Sequence, residues 1–129
     1  MTLPAKILIV EDSPTTRAMI TSAVEVIDGL EIFESKSGFE ALKLLPHHSF
    51  DLILTDINMP DINGLELVNF VKKNPDYKHI PLIIITTEGS EKDKEKGLSL
   101  GADEYLVKPF DPETLQRLVK KYLKVGVRQ

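Results

Sequence analysis

The chain of 129 residues contains no cysteine. Disulfides, thiolate nucleophiles and thiolate metal sites are therefore excluded, and a reducing, cytoplasmic setting is expected. A surplus of basic charge is also missing. Sixteen Lys and Arg face 20 Asp and Glu, a formal net charge of −4. Binding to nucleic acid, which draws on excess cations, is not expected. No apolar run approaches the ~20 residues of a membrane span. A single Lys6 before the short run Ile7–Val10 does not make a secretory leader, so neither membrane insertion nor export is expected. Linkers, repeats and low-complexity stretches do not stand out. What is present is 42% apolar residues, an ordinary share for one globular domain. A chain of this length buries about two-thirds of its unfolded surface and needs no staple. We expect one domain over 1–129, with its core at about 5–123.

Three runs, Ile7–Val10, Leu52–Thr55 and Leu82–Ile85, are continuous rather than alternating, which implies burial on both faces of a central parallel sheet. Leu106–Val107 and the weaker Glu31–Phe33 complete five strands. Helical spacing lies between them. Ile20, Ala23, Val24 and Ile27 form one stripe, with Ser13 as cap, Pro14 at the first position and Gly29 as the stop. Further helices are expected from Ser37 or Gly38 to before Pro46, from near Gly64 to before Pro75, over about Ser90–Leu100, and over Pro112–Leu123 with Asp111 as cap. Five alternations of strand and helix give an α/β domain with right-handed crossovers and helices on both sheet faces. The fourth helix is peculiar. Glu91 to Lys96 carries no apolar side chain, and Gly97 in a helix interior costs about 1 kcal/mol relative to Ala, so a weakly held, solvated helix is expected. Met19 and Met59 read as packing residues, and His47 and His48 as a polar loop.

In open parallel sheets, ligands bind beyond the carboxyl ends of the strands. Glu11 and Asp12 follow the first strand, Asp56 ends the third, Thr86 and Thr87 follow the fourth, and Lys108 and Pro109 follow the fifth. Three carboxylates at one edge either rise in pKa or share a cation. Oxygen donors alone select a hard ion, with Mg2+ the most available. A carboxylate beside such an ion, a lysine and a hydroxyl is suited to receive a phosphoryl group, because the attacking atom can be a carboxylate oxygen.

These residues carry a resemblance. Glu11-Asp12-Ser13-Pro14, Asp56-Ile57-Asn58-Met59-Pro60 followed by Gly64, then Thr86, and Tyr105-Leu106-Val107-Lys108-Pro109-Phe110 run in order from Lys6 to about Leu123. The chain resembles the receiver domain of two-component response regulators, most of all the single-domain chemotaxis (CheY-like) regulators. The resemblance implies a flavodoxin-like, doubly wound sheet of strand order 2-1-3-4-5 with five flanking helices. It implies that Asp56 accepts a phosphoryl group from a histidine kinase. Asp12, Asp56 and the Asn58 backbone carbonyl ligate Mg2+, with Glu11 acting directly or through water. Lys108 pairs with the phosphoryl oxygens, and Thr86 moves to bond them. Tyr105 then rotates inward, reshaping the face made by the fourth helix, fifth strand and fifth helix. Lys108–Pro109 is expected to be cis. Asn58 and Glu88 stand where hydrolysis is tuned, and a short-lived phosphoryl group is expected. The resemblance implies no enzyme acting on a separate substrate, only acceptance of a phosphoryl group and a capacity to promote its loss. A monomer is expected. Output is expected through a protein partner, either a motor component or a histidine protein of a phosphorelay, or through a domain beyond this chain. Lys94 departs from the family, where an aliphatic residue is frequent.

Two rival readings fail on chemistry. A phosphatase of the haloacid-dehalogenase type needs a second Asp two residues after the first as general acid, and Asn58, an amide, cannot serve. A flavin site would place phosphate against Glu11 and Asp12, which repel it. A receiver-like module that is never phosphorylated would not need every acceptor, metal and switch position filled.

Overall fold

A computed structural model of the chain describes residues 3–87 and 89–123. Five strands alternate with five helices: β1 Ala5–Val10, α1 Pro14–Val24, β2 Leu30–Ser35, α2 Gly38–Leu44, β3 Leu52–Thr55, α3 Gly64–Lys73, β4 Leu82–Thr86, α4 Glu91–Ser99, β5 Glu104–Val107 and α5 Pro112–Leu123. The strands form one parallel sheet in the order β2-β1-β3-β4-β5. Among the described residues no helix is long and apolar enough to cross a membrane.

The strand period of two explains the layering. Leu8 and Val10 of β1 point to one face, where Ile53, Ile84, Ala41, Leu67, Val68 and Val71 pack. Ile7 and Ile9 point to the other, against Ile20, Val24, Leu115 and Val119. Continuous apolar runs in β1, β3 and β4 follow directly, since both of their faces are covered. The second face is cross-linked as well as packed. Gln116 Nε2 of α5 donates to the Ala23 carbonyl of α1 at 2.8 Å.

The expected caps at Ser13 and Asp111 form, and Ser37 and Asn63 cap α2 and α3. Thr16 N–H donates to Ser13 Oγ at 3.3 Å, and Glu40 N–H to Ser37 Oγ at 3.1 Å. Asp111 Oδ1 accepts from Glu113 N–H at 3.2 Å. Asn63 and Glu66 form a reciprocal capping box on α3.

Other expectations need correction. Helix α1 stops at Val24, not at Gly29. Ile27 folds under the helix end through its N–H to the Val24 carbonyl and stays buried without helical geometry. Gly29, at φ 83°, instead makes the turn into β2, where its carbonyl accepts from Ala5 N–H. Helix α2 continues past its expected end as a 3-10 turn, Leu45–His47, that takes in Pro46. His48 is not simply part of a polar loop, because its ring lies 4.3 Å from that of Phe33. Met59 packs against the core, but Met19 is 57% exposed.

Gly97 has a reason the local sequence hides. It is the one buried residue of α4. A Cβ there would stand 2.7 Å from Ile84 Cδ1 and 3.6 Å from the Tyr105 ring. The helix lies close on β4 and β5 only because this position has no side chain. Helix α4 is therefore held by backbone proximity, whereas α5 buries Leu115 and Val119.

Near the amino-terminal end of β5, Tyr122 Oη donates to Glu104 Oε2 at 2.7 Å, and Lys121 Nζ lies 3.2 Å from the same oxygen. The Tyr122 bond, ahead of Lys121, holds the Glu104 carboxyl below its ordinary value. Burial and Glu104 push the Tyr122 hydroxyl up to about 12. Stability from Glu104 is present above the ordinary carboxyl pKa and is lost as pH falls through its lowered value. Stability from Tyr122 is present below the ordinary phenol value and is lost as pH rises through about 12. Tyr122→Phe should cost about 1 kcal/mol at neutral pH. Its difference from the parent should shrink in acid and in strong alkali, as read from urea midpoints over a pH series. Hydrogen exchange should also find the amides of α4 opening more readily than those of α5.

Candidate functional site

The carboxyl ends of β1, β3, β4 and β5 bring together Glu11, Asp12, Asp56, Thr86 and Lys108. Glu11 is 1% exposed and Asp56 7%, whereas Asp12 is exposed. Their carboxylates each offer an oxygen within 4.8 Å of the others. Lys108 Nζ, on a side chain 13% exposed, lies 3.1 Å from Glu11 Oε1 and 3.6 Å from Asp56 Oδ2. The other oxygen of each acid has its own donor. Ser13 N–H reaches Glu11 Oε2 at 3.2 Å, and Ile57 N–H reaches Asp56 Oδ1 at 2.7 Å.

The backbone explains this order. Asp56 N–H donates to the Val10 carbonyl and Glu11 N–H to the Ser35 carbonyl, extending the sheet ladder one residue past β1 and β3. Thr86 is the last residue of β4, not part of the loop after it. It is fully buried opposite Val107, and its carbonyl accepts from Lys108 N–H at 2.8 Å. Thr87 is exposed. The Lys108–Pro109 bond is cis. Asn58 is exposed in the loop two residues past Asp56, and Tyr105 is half-buried on β5 beside Gly97. Glu88 lies outside the described residues.

Burial raises the Glu11 carboxyl above its ordinary value, Asp56 adds to the rise, and Lys108 opposes it. One ammonium does not balance three carboxylates. The donor set is oxygen only, its acids crowd one another, and an ion with ligands at ~2.1 Å draws its donor oxygens within ~3–4 Å of each other. The three acids thus fit a hard divalent cation. Beside them, Lys108 is placed to meet an anionic group entering the same pocket.

Sequence reasoning missed two supports of this pocket. Arg17 Nη1 donates to the Glu11 carbonyl at 2.7 Å. The available signal was a cation near the positive end of α1, locally unfavourable and so suggestive of a distant partner. Gly64 is legible in the sequence as a helix start and a motif position, but not as a point of close contact. A Cβ on it would stand 2.0 Å from the Asp56 carbonyl oxygen and 2.8 Å from Ile57 Cα. Its N–H donates to the Ile57 carbonyl at 2.8 Å, so the start of α3 lies directly against the backbone of the central acid.

A profile of the response regulator receiver domain matches residues 7–120. Among curated proteins, the chain is 36% identical over 122 residues to a chemotaxis protein CheY homolog of Campylobacter jejuni, covering 94% of each chain. It is 37% identical over 119 residues to chemotaxis protein CheY1 of Helicobacter pylori, covering 92% of this chain and 96% of that one. Among solved structures, chemotaxis response regulator CheY4 of Vibrio cholerae superposes with a TM-score of 0.84 at 38% identity, covering 93% of this chain and 99% of the other.

Gly64→Ala should cost about 1–3 kcal/mol, because backbone rather than a flexible side chain must yield. Gly89→Ala, whose added Cβ would meet only the Val107 side chain at 3.3 Å, should stay within about 0.5 kcal/mol. Denaturant midpoints of the two variants check the contrast.

Proposed function

The chain belongs to the response regulator receiver domain family, and on that premise we propose that it is a cytoplasmic phosphoacceptor of two-component signalling with Asp56 as the acceptor. The observation that carries this reading is the Lys108 ammonium seated between Glu11 and Asp56, with Asp12 completing the acidic group. A carboxylate oxygen of Asp56 attacks the phosphorus of a phosphohistidine on a histidine kinase. The new P–O bond forms as the P–N bond breaks, and the imidazole nitrogen leaves with its electron pair. Glu11, Asp12, Asp56 and the Asn58 main-chain carbonyl would hold Mg2+, Glu11 directly or through water. The bound ion supplies positive charge against the carboxylates and the phosphoryl oxygens. Lys108 shifts from its carboxylate partners toward the new phosphoryl oxygens, and the Thr86 hydroxyl bonds one of them.

The acylphosphate then biases an equilibrium between two conformers. With Thr86 drawn toward the phosphoryl group, Tyr105 turns inward beside Gly97 and the face of α4, β5 and α5 changes shape. The close, side-chain-free seat of α4 supports this reading, since such a helix can shift without repacking a core. Asn58 and Glu88 tune hydrolysis, and the phosphoryl group is short-lived. The chemotaxis relatives favour a motor component as the downstream partner over a histidine protein of a phosphorelay.

Incubation with Mg2+ and a small acyl phosphate should add one phosphoryl group by mass, with a half-life well below many hours. Asp56→Asn should add none. A gain that survives Asp56→Asn, or no gain in the parent, overturns the assignment. Beryllofluoride, which mimics the phosphoryl group, should increase capture of a motor component. Capture of a histidine phosphotransfer protein would instead support the relay.

A further inference from the structure

Arg17 is nearly buried, with a side chain 12% exposed, yet it takes no part in the proposed chemistry. Its guanidinium joins three elements. Nη1 donates to the Glu11 carbonyl at 2.7 Å, and Nε donates to Glu34 Oε1 of β2 at 3.1 Å. Glu34 is held in turn, because Thr21 Oγ1, one turn along α1, donates to its Oε2 at 2.9 Å. These are charge-assisted bonds in a fixed fork, which a lysine cannot reproduce.

The place of this clamp gives it meaning. The regular β1–β2 pairing ends at Val10 and Ser35. Glu11 N–H still finds the Ser35 carbonyl, but the Glu11 carbonyl lies beyond the last paired residue, and Arg17 meets it there. That carbonyl belongs to the peptide linking Glu11 to Asp12, so its direction sets the plane from which the Asp12 side chain departs. The Glu11 side chain is separately fixed by Lys108 and Ser13. Asp12, by contrast, is exposed. The group that the clamp bonds is the peptide from which Asp12 departs.

We propose that Arg17, braced by Glu34 and Thr21, is a positioning residue for the cation pocket, fixing the Glu11–Asp12 peptide so that the Asp12 carboxylate stays turned toward Glu11 and Asp56. The inference rests on the reading of that pocket as a Mg2+ site. Partners that orient metal ligands are generally worth 10–100-fold in metal affinity.

The test uses the full chain and Mg2+ alone, titrated by calorimetry, with amide nitrogen shifts recorded before metal is added. Arg17→Met should weaken Mg2+ binding about tenfold. It should also move the metal-free Asp12 amide nitrogen, which shares the released peptide group. Arg17→Lys should recover only part of the affinity, since one ammonium cannot span Glu34 and the Glu11 carbonyl together. Lys72→Met serves as the stability control. It cuts contacts to the Ile80 carbonyl and Asp103 at the opposite end of the sheet, and should lower the melting temperature while keeping parental Mg2+ affinity. A folded Arg17→Met with parental affinity and an unmoved Asp12 amide overturns the inference alone. If Arg17→Met does not fold, parental affinity in Arg17→Lys overturns it instead. A parent chain that binds no millimolar Mg2+ overturns the reading of the pocket as well.

Discussion

Lys108 is the constraint around which the rest of the site is arranged. Glu11 and Asp56 are almost fully enclosed, and buried carboxylates are tolerated only when paired or hydrogen-bonded. One ammonium meets both, at 3.1 Å and 3.6 Å, while main-chain N–H groups take their remaining oxygens. The arrangement is sufficient without being complete. Two negative charges against one positive, with Asp12 at the rim, leave a pocket that is stable enough to fold and still attracts cations. Burial, crowding by Asp56 and relief by Lys108 act together on Glu11, and the net effect is a carboxyl held above its ordinary value.

The pairing of Lys108 with Asp56 and with Glu11, 97 residues earlier, is a product of parallel topology. Every strand points the same way, so every strand delivers its following residue to one edge. Both faces of the sheet are covered, but the helices are not held equally. Helices α1 and α5 are cross-linked and bury large aliphatic side chains. Helix α4 rests on the sheet through Gly97, with Tyr105 beside it. On that same face α3 buries Leu67, Val68 and Val71, so α4, which buries only Gly97 and lies on β4 and β5, is the helix with least packing. That asymmetry is what a switch driven from the pocket needs, because a small local change can move the element with the least packing to lose.

Particular residues show where reading the sequence succeeds and where it stops. Ser13 and Asp111 are legible as caps because a cap is a local event between a side chain and an N–H two or three residues on. The interior strands are legible because two-sided burial demands unbroken apolar runs. Gly29 misled because a glycine that suits a helix end also suits a turn, and the choice lay with how Ile27 is buried. Gly97 was legible only as a local cost, and its benefit depends on Ile84 and Tyr105 across a gap in the chain. The acids, Lys108 and Thr86 could be named from their places at or just after strand ends. The role of Arg17 could not, since its partners lie on β2 and at the end of β1.

By itself, the sequence determined the order of strands and helices, the lack of thiol chemistry, and a set of oxygen-bearing side chains suited to a hard cation. These depend on residue type, period and order, which the chain carries locally. Only the tertiary structure decided which oxygen faces Lys108, why Gly64 must press on the Asp56 backbone, and how Arg17 reaches the Glu11 carbonyl. Those are distances between segments far apart in sequence. They are fixed by close packing of the whole sheet and its helices, which no local pattern encodes.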